Sequence, residues 1–128
     1  MSNFKGLIDL LDIEIVREEK GIMVMQMPVS EKVLQTHGYL HGGANVVLAE
    51  TAASIGASRL IEDDEITFGM EINANHVKTK RDGMLTAKAE CRHPGGSTQI
   101  WEIEITDEKE ALVCLSRCTM AVKKNRQE

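Results

Sequence analysis

Apolar and polar residues alternate through much of the second half of the chain. In "QIWEIEIT", Trp101, Ile103 and Ile105 alternate with Glu102 and Glu104, which predicts a strand with one dry face. Leu85, Ala87, Ala89 and Cys91 share one parity in "MLTAKAECRH". Met70, Ile72, Ala74 and His76 share one in "FGMEINANHVKTK". Arg81-Asp82-Gly83, "HPGGST" and "DEKE" supply turns between these strands. "ALVCLSRCTMAVK" predicts a long final strand, and the charged "KKNRQE" predicts a frayed end.

The first half has other periods. Phe4, Leu7, Ile8 and Leu11 fall on one helical face and predict a short amphipathic helix. Its polar side carries Asp9 and Asp12 rather than a basic cluster, so it is expected to pack on its own sheet rather than on a membrane. Residues 12–29 mix β-branched and charged residues around Lys20-Gly21 and predict a hairpin, with Pro28 near its end. Ala44, Val47, Leu48, Thr51, Ala52 and Ile55 then follow helical spacing. Ala49, Ala53, Gly56 and Ala57 fill much of the remaining circumference, and a helix small or apolar nearly all round is a buried one. Gly42-Gly43 can supply its entry turn, and "EDDE" at 62–65 a polar exit. A hairpin, one buried helix and a run of strands predict a single α+β domain over residues 1–128, its antiparallel sheet wrapped around one long central helix.

Composition narrows the functions open to such a domain. The chain has 128 residues, enough for one core and too few for two ordinary domains. A net charge of −5 and an aromatic fraction of 3% argue against nucleic acid, which calls for basic surfaces and stacking platforms. Cys91, Cys114 and Cys118 form no CxxC pair, and an odd count suggests reduced thiols in a cytoplasm. The N-terminus lacks the basic start of a signal peptide, and no uninterrupted apolar run is long enough to span a bilayer.

One stretch carries candidate chemistry: "HGYLHGGANVVLAETAAS", residues 37–54. Backbone N–H groups at a helix start have no intrahelical partner, and glycine lets a ligand come close. Gly42 is therefore either a tight turn or an oxyanion donor for a carbonyl oxygen gaining charge. Glu50 sits among small and apolar residues, where a carboxylate is costly without a partner or a task. It either faces solvent or an arginine, or serves as nucleophile or general base. Gly42 and Glu50 are eight residues apart, about 12 Å along a helix. If both serve one carbonyl, Gly42 comes from one subunit and Glu50 from another, which implies a homodimer. His37 and His41 have the i, i+4 spacing of zinc ligands, but Gly38, Gly42 and Gly43 make the stretch a loop, so no metal is expected. His76 and His93 lie at or near strand ends, where a histidine is ordinarily a hydrogen-bonded surface residue.

Three motifs in order, "LHGGANVVLAETAAS", "EINANHVK" and "GGSTQIWEIEI", resemble the hotdog-fold acyl-CoA thioesterases. The branch they resemble is the small single-domain group acting on 1,4-dihydroxy-2-naphthoyl-CoA, 4-hydroxybenzoyl-CoA and phenylacetyl-CoA, and the likeness runs from about Gly6 to Val122. The resemblance implies that Glu50 is the acidic catalyst and Gly42 the oxyanion donor. It implies that His41 lies near the thioester sulfur, that Gln35 helps polarise the carbonyl, and that Ser54 orients the carboxylate or water. Glu50 and Ser54 would come from one subunit and Gln35, His41 and Gly42 from its neighbour. His76, His93, Gly96, Ser97 and Thr98 match positions near pantetheine or phosphate. Lys78, Lys80 and Arg81 form a basic cluster that is either a phosphate contact or a solvated hairpin tip. The turn "HPGGST" lacks the arginine or lysine that some relatives carry there.

The expected function is hydrolysis of an aryl or other hydrophobic acyl-CoA to free acid and CoA, without metal or redox cofactor. The expected assembly is at least a homodimer and, as in the family, a dimer of dimers. Ile55 and Phe68 are expected in the acyl pocket. The alternatives are a hotdog dehydratase or hydratase, with His41 and Glu50 as its acid–base pair, and a non-catalytic acyl-CoA-binding module.

Overall fold

The computed structural model describes residues 6–125. Along the chain these form α1 (Leu7–Leu10), β1 (Glu14–Glu19), β2 (Ile22–Pro28), a 3-10 turn (Glu31–Val33), α2 (Gly42–Ser58), β3 (Glu65–His76), β4 (Met84–Pro94), β5 (Thr98–Thr106) and β6 (Leu112–Lys124). The strands make one antiparallel sheet in the order β1-β2-β4-β5-β6-β3. One face of it is packed by α2, which touches β2, β3, β4, β5 and β6. An antiparallel sheet packed on one long helix is what the residue pattern predicts, and it is the hotdog arrangement that the resemblance implies.

The dry face follows from period-2 alternation. Met23, Met25 and Met27 of β2 pair in register with Ala89, Ala87 and Leu85 of β4. Ala87 and Ala89 in turn pair with Ile105 and Ile103 of β5. All of these are buried, as is Trp101. Small residues on β4 sit between larger ones on its neighbours, so the layer fills without crowding the helix.

The buried side of α2 is its small side: Ala44, Asn45, Leu48, Ala49, Ala52, Ala53, Gly56 and Ala57. Val47, Glu50, Thr51, Ser54 and Ile55 are only half-buried. The lack of side-chain bulk lets helix and sheet approach closely. A Cβ at Gly56 would lie 2.7 Å from Trp101 Cη2 and 2.9 Å from Cζ3. Trp101 cannot yield easily: its Nε1–H donates to Gln99 Oε1 (2.8 Å), and Gln99 Nε2 donates to the Ala57 carbonyl (3.4 Å). Gly56→Ala is therefore expected to destabilise the fold by about 1–3 kcal/mol through overpacking, despite alanine's better helix propensity. Urea unfolding measures it; a stability equal to or above wild type would contradict the close approach.

Three local expectations change. Met70 does not face the core with Ile72 and Ala74; a bulge between Gly69 and Glu71 shifts the register there, and Met70 is 62% exposed. Leu7 is mostly exposed while Ile8 and Leu11 pack on the core, because a four-residue helix covers only a narrow strip. Phe4 lies outside the described residues. The tail is ordered further than its charge suggests: Lys123 and Lys124 pair with Ile66 and Glu65, and Lys124 Nζ reaches both carboxylate oxygens of Asp64 at 3.2 Å. Residues 126–128 lie outside the described range.

Candidate active site

The loop before α2 is held by its own side chains. Gln35 Oε1 accepts from His37 N (2.5 Å) and Tyr39 N (3.3 Å), and Gly38 takes a positive φ of 83° to close the turn. With the amide oxygen occupied, the Gln35 NH2 is left as a donor without a partner among the described residues. His41 is the N-cap of α2, and its Nδ1 accepts from Gly43 N at 2.8 Å. A neutral imidazole accepting at Nδ1 carries its proton on Nε2, so this ring presents a donor. Gly42 is the first helical residue, and among the described residues its N–H meets no acceptor. Both Gly42 and Gly43 therefore belong to the helix rather than to a turn before it.

His76 closes over this helix start. A Cβ at Gly42 would lie 3.0 Å from His76 Nε2, and His76 Nδ1 is 3.1 Å from Asn45 Nδ2. Leu40, Gly42, Asn45, His76, Val77, Lys78 and Thr79 line a cleft of about 340 Å³. The buried Asn45 Oδ1 has no partner among the described residues.

Glu50 lies two turns on, in a different cleft of about 370 Å³ lined by Leu7, Ile8, Val47, Thr51, Ser54 and Ile55. Ser54 is therefore beside Glu50, as i, i+4 spacing dictates, although no hydrogen bond joins them. Ile55 is in this wall. Phe68 is not: it points away from α2 on β3 and is 53% exposed. Its place in the wall is taken by Leu7 and Ile8 of α1, which the motifs do not reveal. The Glu50 and Gly42 clefts share no residue.

The cysteines offer no competing nucleophile. Burial pushes the thiols of Cys91, Cys114 and Cys118 up. Cys118 is pushed to about 12, by burial first and then by the negative charges of Glu50 and Glu71. Among the described residues no group of three or more His, Cys, Asp or Glu could hold a metal ion. No helix there is long and apolar enough to cross a membrane.

The CoA-contact candidates fall into two separate groups. His76 pairs with Cys114 on β6, whereas Thr98 pairs with Ala121. Those positions are seven residues apart (121 − 114), about 23 Å along a strand. His93, Gly96, Ser97 and Thr98 thus sit far from His76, Lys78 and Arg81 on one chain. In the first group Gly95 is wedged between the His93 ring and the Thr98 carbonyl, Ser97 accepts from Val122 N (2.9 Å), and Gly96 is open.

The basic cluster is neither a bare phosphate site nor a solvated tip. Lys78 Nζ and Lys80 Nζ donate to the buried Asp107 Oδ2 at 2.6 and 3.4 Å, and Lys80 also donates to Glu108 at 2.8 Å. Asp107 Oδ1 accepts from the N–H groups of Lys109 and Ala111, which fixes the β5–β6 turn. Arg81 instead stacks over the Tyr39 ring, 4.5 Å from its centroid. Leu40 N donates to the Lys80 carbonyl (2.7 Å), so the network also anchors the loop that leads into Gly42.

This network has a pH signature. Lys78 beside it, with the Ala111 N–H next, holds the Asp107 carboxyl well below the usual carboxylate range. A depressed folded-state value stabilises the fold above the unfolded value of about 3.9, and that stabilisation is lost as pH falls through the folded value. The melting-temperature gap between wild type and Asp107→Asn is therefore expected to be constant near neutrality and to shrink in acid. A gap that stays constant down to the lowest pH at which both fold would contradict it.

Comparison with known proteins agrees with this architecture. Residues 37–114 match the thioesterase superfamily family model. The chain is 62% identical over 122 residues to the 1,4-dihydroxy-2-naphthoyl-CoA hydrolase of Listeria monocytogenes, covering 95% of this chain and 99% of that one. It is 40% identical to the Escherichia coli enzyme of the same name, over 91% of this chain and 86% of that one. A thioesterase from Staphylococcus aureus, solved with one glutamine replaced by alanine, superposes with a TM-score of 0.91 at 43% identity, covering 93% of this chain and 99% of that one. The chain belongs to the thioesterase superfamily, and it is an enzyme, a thioester hydrolase.

Proposed function

We propose that the protein hydrolyses an aryl acyl-CoA, with a hydroxylated naphthoyl thioester as the first substrate to test, releasing the free acid and CoA. The observation that carries this reading is the cleft over Glu50. It sets one carboxylate and the hydroxyls of Thr51 and Ser54 in a wall of Leu7, Ile8, Val47 and Ile55, which suits a flat hydrophobic acyl group next to a reacting carbonyl. The similarity to hydrolases named for a naphthoyl-CoA supports the aryl class.

In this reading the Gly42 N–H and the Gln35 amide NH2 hold the carbonyl oxygen as it gains negative charge. Glu50 either adds to the carbonyl carbon or takes a proton from the water that does. The C–S bond then breaks, and the His41 Nε2–H meets the departing sulfur. Where Glu50 itself adds, this gives an acyl anhydride that water then cleaves to the free acid and the restored carboxylate. Ser54 orients the carboxylate or the water. The thioester and water supply every atom of the products, so no metal or redox cofactor is required. Arg81 and His76 approach the CoA at one end and His93, Gly96, Ser97 and Thr98 at the other. Lys78 contributes to phosphate binding only by giving up part of its bond to Asp107.

The separation of Gly42 from Glu50 supports a site shared between two copies of the chain. Both residues lie on one helix, about 12 Å apart, in clefts with no common wall. Among the described residues no strand neighbours the outer edge of β3, which exposes Phe68 and Met70, and this favours pairing with a second copy there. A dimer is the minimum, and a dimer of dimers is the proposed assembly. The free, inert thiols fit a cytoplasmic setting.

Thiol release from a panel of aryl, hydroxyaryl, short aliphatic and long aliphatic CoA thioesters tests the substrate class. The highest kcat/KM is expected on a hydroxyaryl thioester. A clear preference for aliphatic chains would overturn the aryl assignment.

A further inference from the structure

We propose that Gly69 is a positioning residue for Glu50, and that the bulge beside it exists to bring a glycine under the carboxylate. This rests on the reading of Glu50 as the catalytic group. Counting back by twos from the inward-facing Ile72, an unbroken strand would turn residue 70 toward α2, and residue 70 is a methionine. The extra residue between Gly69 and Glu71 changes that parity. Met70 turns outward, and Gly69 faces the helix instead.

The Glu50 side chain occupies the space so created. A Cβ at Gly69 would lie 3.2 Å from Glu50 Cδ and 3.6 Å from Cγ, with Oε2 nearer still and well inside contact distance. The carboxylate therefore rests on the backbone of β3 where any other residue would carry a side chain. Gly69 does not serve a turn, because its φ is not in the left-handed region. Although it faces the helix, Gly69 is itself exposed to solvent beside the Glu50 cleft, so it fills no core position. The feature that calls for glycine here is the carboxylate lying over it.

The test is Gly69→Ala beside Glu50→Ala, Glu50→Asp and the double variant Gly69→Ala/Glu50→Asp. A displacement of about 1 Å at the reacting group can cost roughly 10²-fold, so kcat for Gly69→Ala is expected to fall by about that factor with KM little changed. The melting temperature should be equal or slightly higher, because the backbone tolerates alanine and the unfolded chain loses freedom. Oligomeric state should be unchanged. The shorter aspartate leaves room for the added methyl group, so Glu50→Asp should cost less kcat in the Gly69→Ala background than in wild type.

Near wild-type kcat in Gly69→Ala, with Glu50→Ala inactive, would overturn the positioning role and leave the catalytic reading standing. A Gly69→Ala protein that fails to fold would assign the glycine to sheet stability and overturn it as well, as would fully additive effects in the double variant. Full activity in Glu50→Ala would remove the catalytic reading and the positioning role together.

Discussion

Replacing Glu50 by alanine is expected to cut kcat for aryl-CoA hydrolysis by roughly 10²–10⁴-fold, the range over which a positioned carboxylate acts in proton transfer. Stability should change little. Glu50 is half-buried and has no hydrogen-bond or ion-pair partner among the described residues, so its loss breaks no network. Glu50→Gln should be nearly as inactive, since it keeps the shape and removes the charge. Steady-state thiol release, with melting temperature and oligomeric state checked in parallel, measures this. Activity near wild type in either variant would make Glu50 a structural residue.

The largest effect on stability is expected at Trp101. Trp101→Ala removes the largest side chain of the core and leaves Gln99 Oε1 without its donor, in a place sealed from water. A loss of about 3–5 kcal/mol follows from the cavity, and the unpaired amide adds to it. That is a large fraction of a typical domain's stability. The denaturation midpoint should fall with little change in slope. A loss under about 1 kcal/mol would mean that α2 collapses into the space. Gly56 would then have to sit elsewhere than under the indole ring.

How far the sequence foretells this molecule depends on the range of the interactions involved. Strands β4 and β5 are legible because alternation is local: each inward residue announces itself by its neighbours. The single buried helix is legible for the same reason, and the β1–β2 hairpin from the Lys20-Gly21 turn between β-branched stretches. The bulge at Met70 is not, because it arises from how β3 pairs with β6, some fifty residues later. Alternation therefore puts Met70 on the wrong face. Phe68 misleads likewise: an aromatic residue near a helix suggests a pocket wall, but its parity relative to Gly69 turns it outward.

The site divides in the same way. Among the proposed site residues, Gly42, Glu50 and Ser54 stand out because a helix start and helical spacing are local features, His41 because it lies in a distinctive motif, and Gln35 only through the family resemblance. Leu7 and Ile8 enter the wall of the Glu50 cleft only because the tertiary fold brings α1 beside α2. Asp107 appears in the sequence as one acid in a turn. Nothing near it in the chain indicates that it will be buried under Lys78 and Lys80, which arrive from the other end of β3. A positive cluster that looked available for phosphate is thus largely occupied before any ligand binds. Gly69 is a single letter in a strand, and its meaning depends on a carboxylate nineteen residues upstream.

Catalysis by Glu50 of one subunit on a thioester held by Gly42 and Gln35 of its neighbour is tested most directly by subunit mixing. Glu50→Ala and Gln35→Ala proteins, each nearly inactive alone, are unfolded together and refolded as an equal mixture. Each mixed dimer then holds one site with neither substitution, so about one quarter of wild-type turnover should return. Turnover no higher than the mean of the two parents would contradict a shared site and place both residues in one subunit's machinery.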